Sequence, residues 1–369
     1  MAKKRVLHCL VRVGSGGVEQ RRLALAKYLS GDKYDQLIVC TDAFGDLPRF
    51  FEDYGVPVKV VGEMKGVFSL PVYLRSLVIA LKFRPSIIHG AVFEGVLIST
   101  FISLFLFWVP LVIEETSFPC LRSRKANLLF RLCSFRASKV IAVSRAVSNY
   151  LKFIKVNEGK IELLVNGVDE ESVKRDGLNR DSFRAEMGVD SDEFLVGAVG
   201  RVEDKVKKFS DILIAVKTLR NTGCNVRLVV VGDGEDLDFL RNKAISLSVD
   251  DYVIWAGYQS DLAPYYDAMD LLCVASVSES FGLVIVEAMF HSLPVVATSV
   301  GGVPDVVLDG VTGSLVPPGK PEEIARSILP FLNDKKLCNA FGLNGRKRAV
   351  TYFSSKRYVS DVDELYSSQ

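Results

Sequence analysis

Residues 194–211 read FLVGAVGRVEDKVKKFSD, and this stretch decides how the second half of the chain folds. Its first six residues form an apolar run without inside/outside alternation, which is typical of a strand buried on both faces of a parallel sheet. Gly200 ends the run, and Arg201 and Lys207 follow before a helical stretch. The pattern predicts a strand, then a loop that carries two cations at the carboxyl end of that strand, then a helix.

Strands of the same kind recur along the chain, bounded by Gly, Pro, Asp or Asn and separated by segments of helix length. They are residues 5–11, 36–40, 56–61, 86–89, 111–113, 140–143 and 161–165 in a first series, and 194–199, 226–231, 252–255, 271–274, 295–298 and 314–316 in a second. Buried parallel strands that alternate with helices form sheets covered by helices on both faces. We therefore predict an α/β protein with two doubly wound domains.

The chain length agrees with two domains, because 369 residues exceed the roughly 250–300 at which a single core stops growing. We place the boundary at Asn166-Gly-Val-Asp, where turn residues follow the first series. The predicted domains are residues 1–168, on which a C-terminal helix at 350–369 is expected to pack, and residues 169–349. Ligands of open α/β sheets bind outside the carboxyl ends of the strands, so we expect a site in a cleft between the domains.

Composition and cysteine usage exclude several classes of protein. With 49% hydrophobic and 24% charged residues, the chain is a packed globular protein and not a disordered or low-complexity one. Seven cysteines without a Cys-x-x-Cys pair argue against a disulfide framework or a zinc site and indicate a reducing compartment. The N-terminal apolar run stops at Arg12, too early for a signal peptide, so we expect a cytoplasmic protein.

One uncharged segment, Gly95 to Ile113, has the 19 residues that a membrane span needs. Pro110 interrupts it. We therefore predict a buried helix up to Trp108, followed by a turn and a short strand.

The net charge of +2 conceals an asymmetry between the two halves. Residues 1–168 hold 24 Lys and Arg against 13 Asp and Glu, a net charge of +11, and residues 169–369 carry −9. A basic half is compatible with anionic lipid, nucleic acid or a phosphorylated substrate, or with a scattered solvated surface. Beside the apolar residues 101–108 lie six cations: Arg122, Arg124, Lys125, Arg131, Arg136 and Lys139. We expect them to make peripheral contact with an anionic membrane; the alternative is that they lie on helices that face water.

Two loops that follow strands contain closely spaced glycines. Gly14-Ser-Gly-Gly-Val-Glu precedes a helical run from Arg21, so it either brings backbone N–H groups to an anion or forms a tight turn. Val231-Gly-Asp-Gly-Glu lacks the third glycine of a dinucleotide fingerprint and is interpreted as a tight turn. The cations Arg201 and Lys207 suit a diphosphate, or else belong to a solvated basic loop.

A pair of carboxylates stands further along the chain. Glu279 lies in a loop, and Glu287 follows on the helix that Phe281-Gly282 begins. The six steps from Phe281 to Glu287 span roughly 9 Å, so the helix end and Glu287 can contact different parts of an extended ligand. Two carboxylates also fit glycoside hydrolysis, which would usually need no partner cations.

Together these motifs resemble the retaining glycosyltransferases of family 4, also called glycosyl transferase group 1. The resemblance runs nearly end to end and rests on Gly16-Gly17-Val-Glu, Ile141-Ala-Val-Ser-Arg-Ala-Val, Val165-Asn-Gly-Val-Asp, Gly200-Arg201 with Lys207, the Glu279/Glu287 pair, Leu293-Pro-Val-Val-Ala-Thr-Ser-Val-Gly-Gly-Val-Pro-Asp and Asp309-Gly-Val-Thr-Gly-Ser-Leu-Val-Pro-Pro-Gly. It implies the GT-B fold, in which two Rossmann-like domains face each other across a cleft.

The resemblance also implies a donor site for a nucleotide-diphosphate sugar. Arg201 and Lys207 would stabilise the diphosphate as the glycosidic bond breaks, and Glu279 would contact the donor sugar. The other donor-binding residues would be Gly16 and Gly17 on the diphosphate, Tyr258 and Gln259 near the base, the N–H groups of Phe281, Gly282 and Leu283 on the phosphates, and Glu287 on the ribose.

The chain departs from the family pattern on the acceptor side. Many members end one strand with His-x-His, whereas here His89 is followed by Ala91. The His usual near the next strand end is replaced by Glu114-Glu115-Thr116. The acceptor-side candidates are therefore His89, Glu94 and Glu115.

From the family we expect a hexosyltransferase that acts with retention through leaving-group assistance, so no general base is assigned. Asp236-Leu-Asp238 and Asp361-Val-Asp363 fall in polar helical stretches, so we expect no metal site, no cofactor and metal-independent transfer. The expected partners are a nucleotide sugar, with UDP preferred to GDP, and a glycan or lipid-linked acceptor in surface polysaccharide or glycolipid synthesis, without nucleic acid. The alternatives are a nucleotide-sugar 2-epimerase and a non-catalytic nucleotide- or glycan-binding subunit.

Overall fold

The computed structural model describes residues 3–14, 16–116, 122–171, 173 and 180–369. The chain divides into two compact units, the first made of residues 1–167 and 355–369 and the second of residues 168–354. Each unit is built around its own parallel sheet. The first unit therefore uses both ends of the chain described here.

The sheet of the first unit has seven parallel strands in the order β5-β3-β1-β6-β7-β8-β9. These are β1 (Lys4–Cys9), β3 (Tyr34–Cys40), β5 (Val58–Val60), β6 (Ile87–Ala91), β7 (Leu111–Glu115), β8 (Lys139–Ala142) and β9 (Ile161–Leu163), while β2 (Arg12–Val13) and β4 (Asp42–Ala43) pair with each other. Val6 and Leu7 of β1 belong to cores on opposite faces of the sheet, so this strand is buried on both sides. That double burial is why the strand sequences lack alternation.

The helices of the first unit form a layer on each face of this sheet. They are α1 (Gly17–Tyr28), α2 (Leu47–Asp53), α3 (Leu70–Phe83), α4 (Phe93–Phe105), α5 (Arg124–Arg136), α6 (Arg145–Phe153) and the C-terminal α16 (Ser355–Ser367). Helix α1 packs on α2 and α16, whereas α4 packs on α3 and α5. The expected C-terminal helix is present, but it begins at Ser355. Residues 350–352 belong to the preceding helix α15, which ends with Phe353 as its C-cap residue.

The sheet of the second unit has six parallel strands in the order β12-β11-β10-β13-β14-β15. These are β10 (Phe194–Val199), β11 (Val226–Val231), β12 (Val253–Gly257), β13 (Leu271–Val274), β14 (Val295–Thr298) and β15 (Gly313–Val316). Its helices are α7 (Arg180–Glu186), α8 (Asp204–Lys207), α9 (Phe209–Asn221), α10 (Leu237–Leu247), α11 (Ala263–Ala268), α12 (Leu283–Phe290), α13 (Val303–Val306), α14 (Pro321–Asn333) and α15 (Lys335–Tyr352).

All the strands predicted from the sequence are present in these two sheets. The prediction of a buried helix up to Trp108 is wrong in one respect. Helix α4 ends at Phe105, and its last turn is exposed. Among the helices of the described residues, none is both long and apolar enough to cross a bilayer.

In the second sheet the strand order reverses direction between β10 and β13. Strands β10, β11 and β12 proceed toward one edge, and β13 starts again on the other side of β10. The loops that leave the two neighbouring strands therefore diverge to opposite faces and open a crevice at the carboxyl edge. This position is where a ligand of the second unit is expected.

Candidate functional site

The loops after β10 and β13 meet at this reversal point. The Lys207 ammonium pairs with the Glu279 carboxylate, and Ser276 Oγ donates to the same oxygen of Glu279 at 3.1 Å. The Val277 N–H also donates to the Val206 carbonyl at 2.8 Å. Two of the predicted catalytic residues are thus in contact, on segments that follow two neighbouring strands and are far apart in sequence.

A third loop, after β14, fixes the backbone of Glu279. The Gly302 N–H donates to the Glu279 carbonyl at 3.0 Å. Gly301 has φ +52°, and a Cβ added there would lie 1.8 Å from that carbonyl oxygen. Only glycine permits this approach, so the Gly-Gly pair holds the Glu279 loop in place.

The loop after β11 supports the cationic loop in the same way. A Cβ at Gly232 would lie 1.9 Å from the Gly200 carbonyl oxygen, and one at Gly234 would lie 2.2 Å from the Val202 carbonyl oxygen. Close backbone packing therefore explains both glycines.

Arg201 and Lys207 lie on one short segment after β10. Arg201 is exposed, and its guanidinium makes no ion pair with any residue that the structure describes. Lys207 ends α8, and Lys208 follows in the left-handed region with φ +52°. The Asp204 carboxylate accepts from the Ser210 N–H at 2.8 Å and from its hydroxyl at 2.7 Å, which ties the segment to α9. The two cations can therefore bind an anion from a supported loop.

Helix α12 begins next to this pair. Phe281 is buried and packs edge-on against Phe353 at 5.6 Å, which fixes the start of the helix. Gly282 is the N-cap residue, with φ +95°. The first N–H groups of a helix have no partner within it, and with the helix dipole they favour an anion. The predicted contributions of Phe281, Gly282 and Leu283 fit this geometry.

Glu287 lies one turn further along α12 and is oriented by a buried tyrosine. Tyr266 of α11 donates to Glu287 Oε2 at 2.7 Å, and its ring stacks on His291 at 5.3 Å. Burial raises the pKa of Glu287, although the Tyr266 hydrogen bond and His291 oppose that rise. Oε1 receives no donor from the described part of the chain. One carboxylate oxygen is thus held by the protein, and the other is available to a hydroxyl of a ligand.

Tyr258 and Gln259 follow β12 at the carboxyl edge of the same sheet. Tyr258 is 61% exposed. Gln259 Nε2 donates to the Ala256 carbonyl at 2.8 Å. An exposed aromatic ring beside an anchored amide fits the predicted contact with a nucleobase.

Gly16 and Gly17 lie in the first unit, at the N-terminus of α1. Gly16 is its N-cap residue, and a Cβ added there would lie 2.3 Å from Glu19 Oε2. The helix begins at Gly17, four residues before the predicted Arg21, so the glycines form the helix end and not a preceding loop. Their N–H groups are those of a helix N-terminus, as the anion interpretation requires.

His89 does not have the open acceptor-side position expected of it. Its side chain is fully buried, Nε2 lies 3.0 Å from Arg22, and Nδ1 lies 2.6 Å from Tyr366 Oη. Because a guanidinium only donates, Nε2 accepts and Nδ1 carries the proton. Burial and then the charge of Arg22 lower the pKa of His89 to about 4. His89 therefore joins β6 to α1 and α16 as a neutral core residue.

Glu114 lies at the centre of the same buried network. It pairs with Arg21, and its Oε2 accepts from Arg22 at 2.6 Å. Burial alone would raise the pKa of Glu114, but the two guanidinium groups outweigh it and hold the pKa well below its ordinary value. Glu114 thus holds α1 against the end of β7 through ion pairs with Arg21 and Arg22.

The other two acceptor-side candidates differ in exposure. Glu115 is buried and pairs with Arg122, whose guanidinium lies over the Phe93 and Phe130 rings. Glu94 lies in the first turn of α4 and is partly exposed. It follows Val92, whose φ of +62° is unusual for a β-branched residue. Of the three candidates, Glu94 has the position best suited to contact an acceptor.

Sequence reasoning did not identify Arg21, Arg22 and Tyr266. A pair of arginines on a helix normally indicates a solvated face, and a buried tyrosine resembles any other core aromatic. One signal was available: a glutamate inside a strand covered on both faces requires a buried cation. Glu114 therefore pointed to an arginine on a neighbouring helix, without indicating which one.

Candidate metal ligands do not cluster in the part of the chain that the structure describes. The described residues contain no group of three or more His, Cys, Asp or Glu side chains that could hold a metal ion. Asp236 accepts from the Asp204 N–H at 2.7 Å, and Asp363 pairs with Lys33 at 2.5 Å. Both acidic pairs seen in the sequence therefore have structural partners.

Two parallel sheets, each covered by helices on both faces, place the chain in the GT-B fold class. The family described as "Glycosyltransferase Family 4" matches residues 15–172, and "Glycosyl transferases group 1" matches residues 179–348. The chain belongs to this family of glycosyltransferases.

Individual relatives agree with this assignment. The capsular polysaccharide biosynthesis glycosyltransferase CapM of Staphylococcus aureus is 28% identical over 356 residues, which cover 93% of this chain and 92% of CapM. N-acetyl-alpha-D-glucosaminyl L-malate synthase of Bacillus anthracis is 30% identical over 241 residues, 65% of this chain and 62% of that protein. Anabaena HepE, crystallised with UDP-glucose, has a TM-score of 0.88 and 25% identity, covering 99% of this chain and 100% of HepE.

Proposed function

We propose that this protein transfers a hexose, with retention of configuration, from a nucleotide-diphosphate sugar to a glycan or lipid-linked acceptor. The observation that carries the proposal is the Lys207–Glu279 pair at the reversal point of the second sheet. A cation for the diphosphate and a carboxylate for the sugar hydroxyls lie side by side, as a nucleotide sugar requires. The proposed catalytic residues are Arg201, Lys207 and Glu279.

The donor would bind along the carboxyl edge of the second sheet. Tyr258 and Gln259 would contact the base, and the free oxygen of Glu287 would accept from a ribose hydroxyl. The N-terminus of α12 and the two cations would hold the diphosphate. Lys207 is neutralised by Glu279 in the ligand-free protein, so the incoming diphosphate competes for the ammonium while the sugar hydroxyls take over the carboxylate.

The proposed mechanism relies on stabilising the leaving group. As the bond from the anomeric carbon to the diphosphate oxygen breaks, that oxygen gains negative charge close to Arg201 and Lys207. Preorganised charges of this kind contribute on the order of 10²–10³ each to the rate. No carboxylate is assigned as a nucleophile, and the incoming hydroxyl passes its proton to the departing phosphate.

The relatives support the finer parts of this proposal. HepE was crystallised with UDP and with UDP-glucose, which supports UDP as the donor nucleotide. CapM acts in capsular polysaccharide biosynthesis, which supports a role in surface polysaccharide or glycolipid assembly. We place the reaction in the cytoplasm, at the inner face of the membrane when the acceptor is lipid-linked. The family match favours transfer over the alternatives of a 2-epimerase or a non-catalytic subunit.

Incubation of the purified protein with a panel of UDP- and GDP-sugars tests the proposal. We expect slow hydrolysis of one donor, with release of the nucleoside diphosphate and of a sugar that first appears in the donor's own anomeric form. Because two cations hold the diphosphate, this activity should continue in excess EDTA. Conversion of a UDP-sugar to its 2-epimer, or activity that depends on added Mg²⁺ or Mn²⁺, would contradict the corresponding part of the proposal.

A further inference from the structure

The outer surface of α4 and α5 in the first unit carries large apolar side chains where polar ones are expected. Phe107 is 72% exposed and Trp108 is 66% exposed. With these two, the exposed side chains Phe105, Leu128, Leu132 and Phe135 make up what we call the α4–α5 patch. Isolated exposed apolar residues are ordinary, but a group of them on adjoining elements indicates an interaction surface.

The patch is held together by defined contacts. Arg136 of α5 donates to the carbonyl oxygens of Ser103, Phe107 and Val109 at 3.2, 2.8 and 3.0 Å. These bonds fix the turn after α4 against the C-terminal end of α5. The Phe107 and Trp108 rings also meet edge to face at 5.0 Å. The aromatic turn is therefore a built part of the surface.

Positive charge predominates around the patch, although Lys139 pairs with Glu162 and Lys152 pairs with Glu158. Residues 116–157 contain nine Lys and Arg and no Asp or Glu. In the wider range of residues 64–157 the only acids are Glu94, Glu114 and Glu115, and the last two are buried in ion pairs with arginines. Over the described residues 64–116 and 122–157, the surface is therefore mainly cationic. Arg124 and Lys125 are exposed on the same side of α5 as Leu128.

We propose that the α4–α5 patch docks on an anionic lipid bilayer. Aromatic side chains flanked by Lys and Arg are the combination that lies in a membrane interface, with the rings among the headgroups and the cations on anionic lipid. A second copy of the chain fits poorly. A symmetric contact through this patch would place the same cationic surface against itself, and like charges oppose such an interface.

The docking surface is independent of the donor site. None of its residues belongs to the machinery assigned above, and its test measures binding and not transfer. Failure of the proposed glycosyl transfer would leave the patch and its charge unchanged. Conversely, sugar transfer in solution without any binding to vesicles would overturn only the membrane proposal.

Vesicle flotation of the full chain tests the proposal, with phosphatidylcholine vesicles compared to vesicles that also contain phosphatidylglycerol. We expect binding that needs phosphatidylglycerol and weakens at high salt, because screening shortens the reach of surface charge. The double variant Arg124→Gln/Lys125→Gln should bind about 25-fold more weakly, about fivefold for each cation removed. The matched control is Lys335→Gln/Lys336→Gln, since this exposed pair begins α15 as Arg124 and Lys125 begin α5.

A second pair of variants tests the apolar part. Trp108→Ser should lower the affinity for anionic vesicles by about tenfold or more. Phe239→Ser, which removes a 53% exposed aromatic of the second unit, should leave it unchanged. Equal binding to both kinds of vesicle, no binding to either, or equal losses in test and control variants would overturn the proposal. So would a solution dimer that Trp108→Ser dissociates, which would assign the patch to a second copy.

Discussion

At the scale of single residues, the candidate donor site consists of charges that are paired before any ligand arrives. Lys207 is bound to Glu279, and Glu287 is bound to Tyr266. Pairing keeps these groups ordered in the ligand-free protein, so less conformational entropy is lost when a ligand binds. Arg201 differs, because its side chain is exposed and must become ordered when a ligand binds.

Replacing either cation should slow the reaction without unfolding the protein. We expect Arg201→Ala and Lys207→Ala each to lower kcat about 10²- to 10³-fold, the scale of one preorganised charge. The control is Lys205→Ala, which removes an exposed lysine from the same short helix and should turn over like the parent. Donor hydrolysis provides the measurement. Turnover within a few-fold of the parent in both variants would contradict the assignment of the donor site.

The binding of UDP should depend on the ionisation of Glu287. Burial raises the pKa of this carboxyl, and only the ionised form accepts from a ribose hydroxyl well. The affinity for UDP should thus be full above the raised pKa and fall as the pH decreases through it. Tyr266→Phe removes a group that lowers this pKa, so it should move the loss of affinity to higher pH.

Calorimetric titration of UDP across a range of pH measures this shift. The adjacent Tyr265→Phe is the matched control, because Tyr265 lies on the same helix α11 and makes no described contact with Glu287. An identical pH profile for the parent and for Tyr266→Phe would show that Glu287 does not contact the nucleotide. Glu287→Gln should weaken UDP binding at every pH above the raised pKa.

At the scale of elements, the strands were predictable and the helix ends were less so. Each strand is an apolar run that is buried on both faces of a sheet, so it can be recognised from its own sequence without knowledge of its neighbours. The start of α1 at Gly17 was missed because glycine normally indicates a loop, and the tertiary position of the helix overrides that preference. The exposed end of α4 was missed for a related reason, since an apolar sequence does not reveal that part of it faces outward.

The loop after β14 should tolerate no side chain at Gly301. Gly301→Ala places a Cβ against the Glu279 carbonyl in a left-handed backbone, so we expect a loss of about 3 kcal/mol or more in the free energy of unfolding. Gly310 is the control, because it has φ +71° and nothing within 4 Å of an added Cβ. Gly310→Ala should cost only about 1 kcal/mol of backbone strain.

Denaturant unfolding and donor hydrolysis distinguish the two variants. The Gly301 variant should lose activity as well as stability, since the displaced loop carries Glu279. Equal losses in the free energy of unfolding for the two variants would mean that the Glu279 loop shifts easily to accommodate a Cβ at residue 301. Glu279 would then not be held by the Gly-Gly pair.

At the scale of the whole molecule, the C-terminal helix completes the first unit through polar contacts. Tyr358 lies 3.3 Å from Arg22, and Tyr366 accepts from His89. The sequence predicts a helix that returns to the first domain, but it does not reveal this network. Burial of polar groups depends on partners that are distant in the chain, and no local pattern reveals them.

Removing one hydroxyl from this network should destabilise the first unit selectively. Tyr366→Phe leaves the Nδ1–H of His89 buried without an acceptor, so we expect a loss of about 1–3 kcal/mol in the free energy of unfolding. Tyr352→Phe, at an exposed tyrosine of α15, is the control and should have little effect. Hydrogen exchange locates the change, which should be confined to residues 3–167 and 355–369. Faster exchange in the second unit alone would contradict this account.

Because the first unit is built from residues 1–167 and 355–369, its last element is synthesised long after its sheet. Translation delivers the first sheet early, yet α16 leaves the ribosome only after the entire second unit has been made. Until then, the polar cluster of Arg22, His89 and Glu114 has no cover from Tyr358 and Tyr366. Domains generally fold as units during synthesis, so the second unit can reach its native state while the first still waits. The half of the molecule that is made first is therefore completed last, and a chain that terminates just before Ser355 contains the whole second unit but lacks the helix that completes the first.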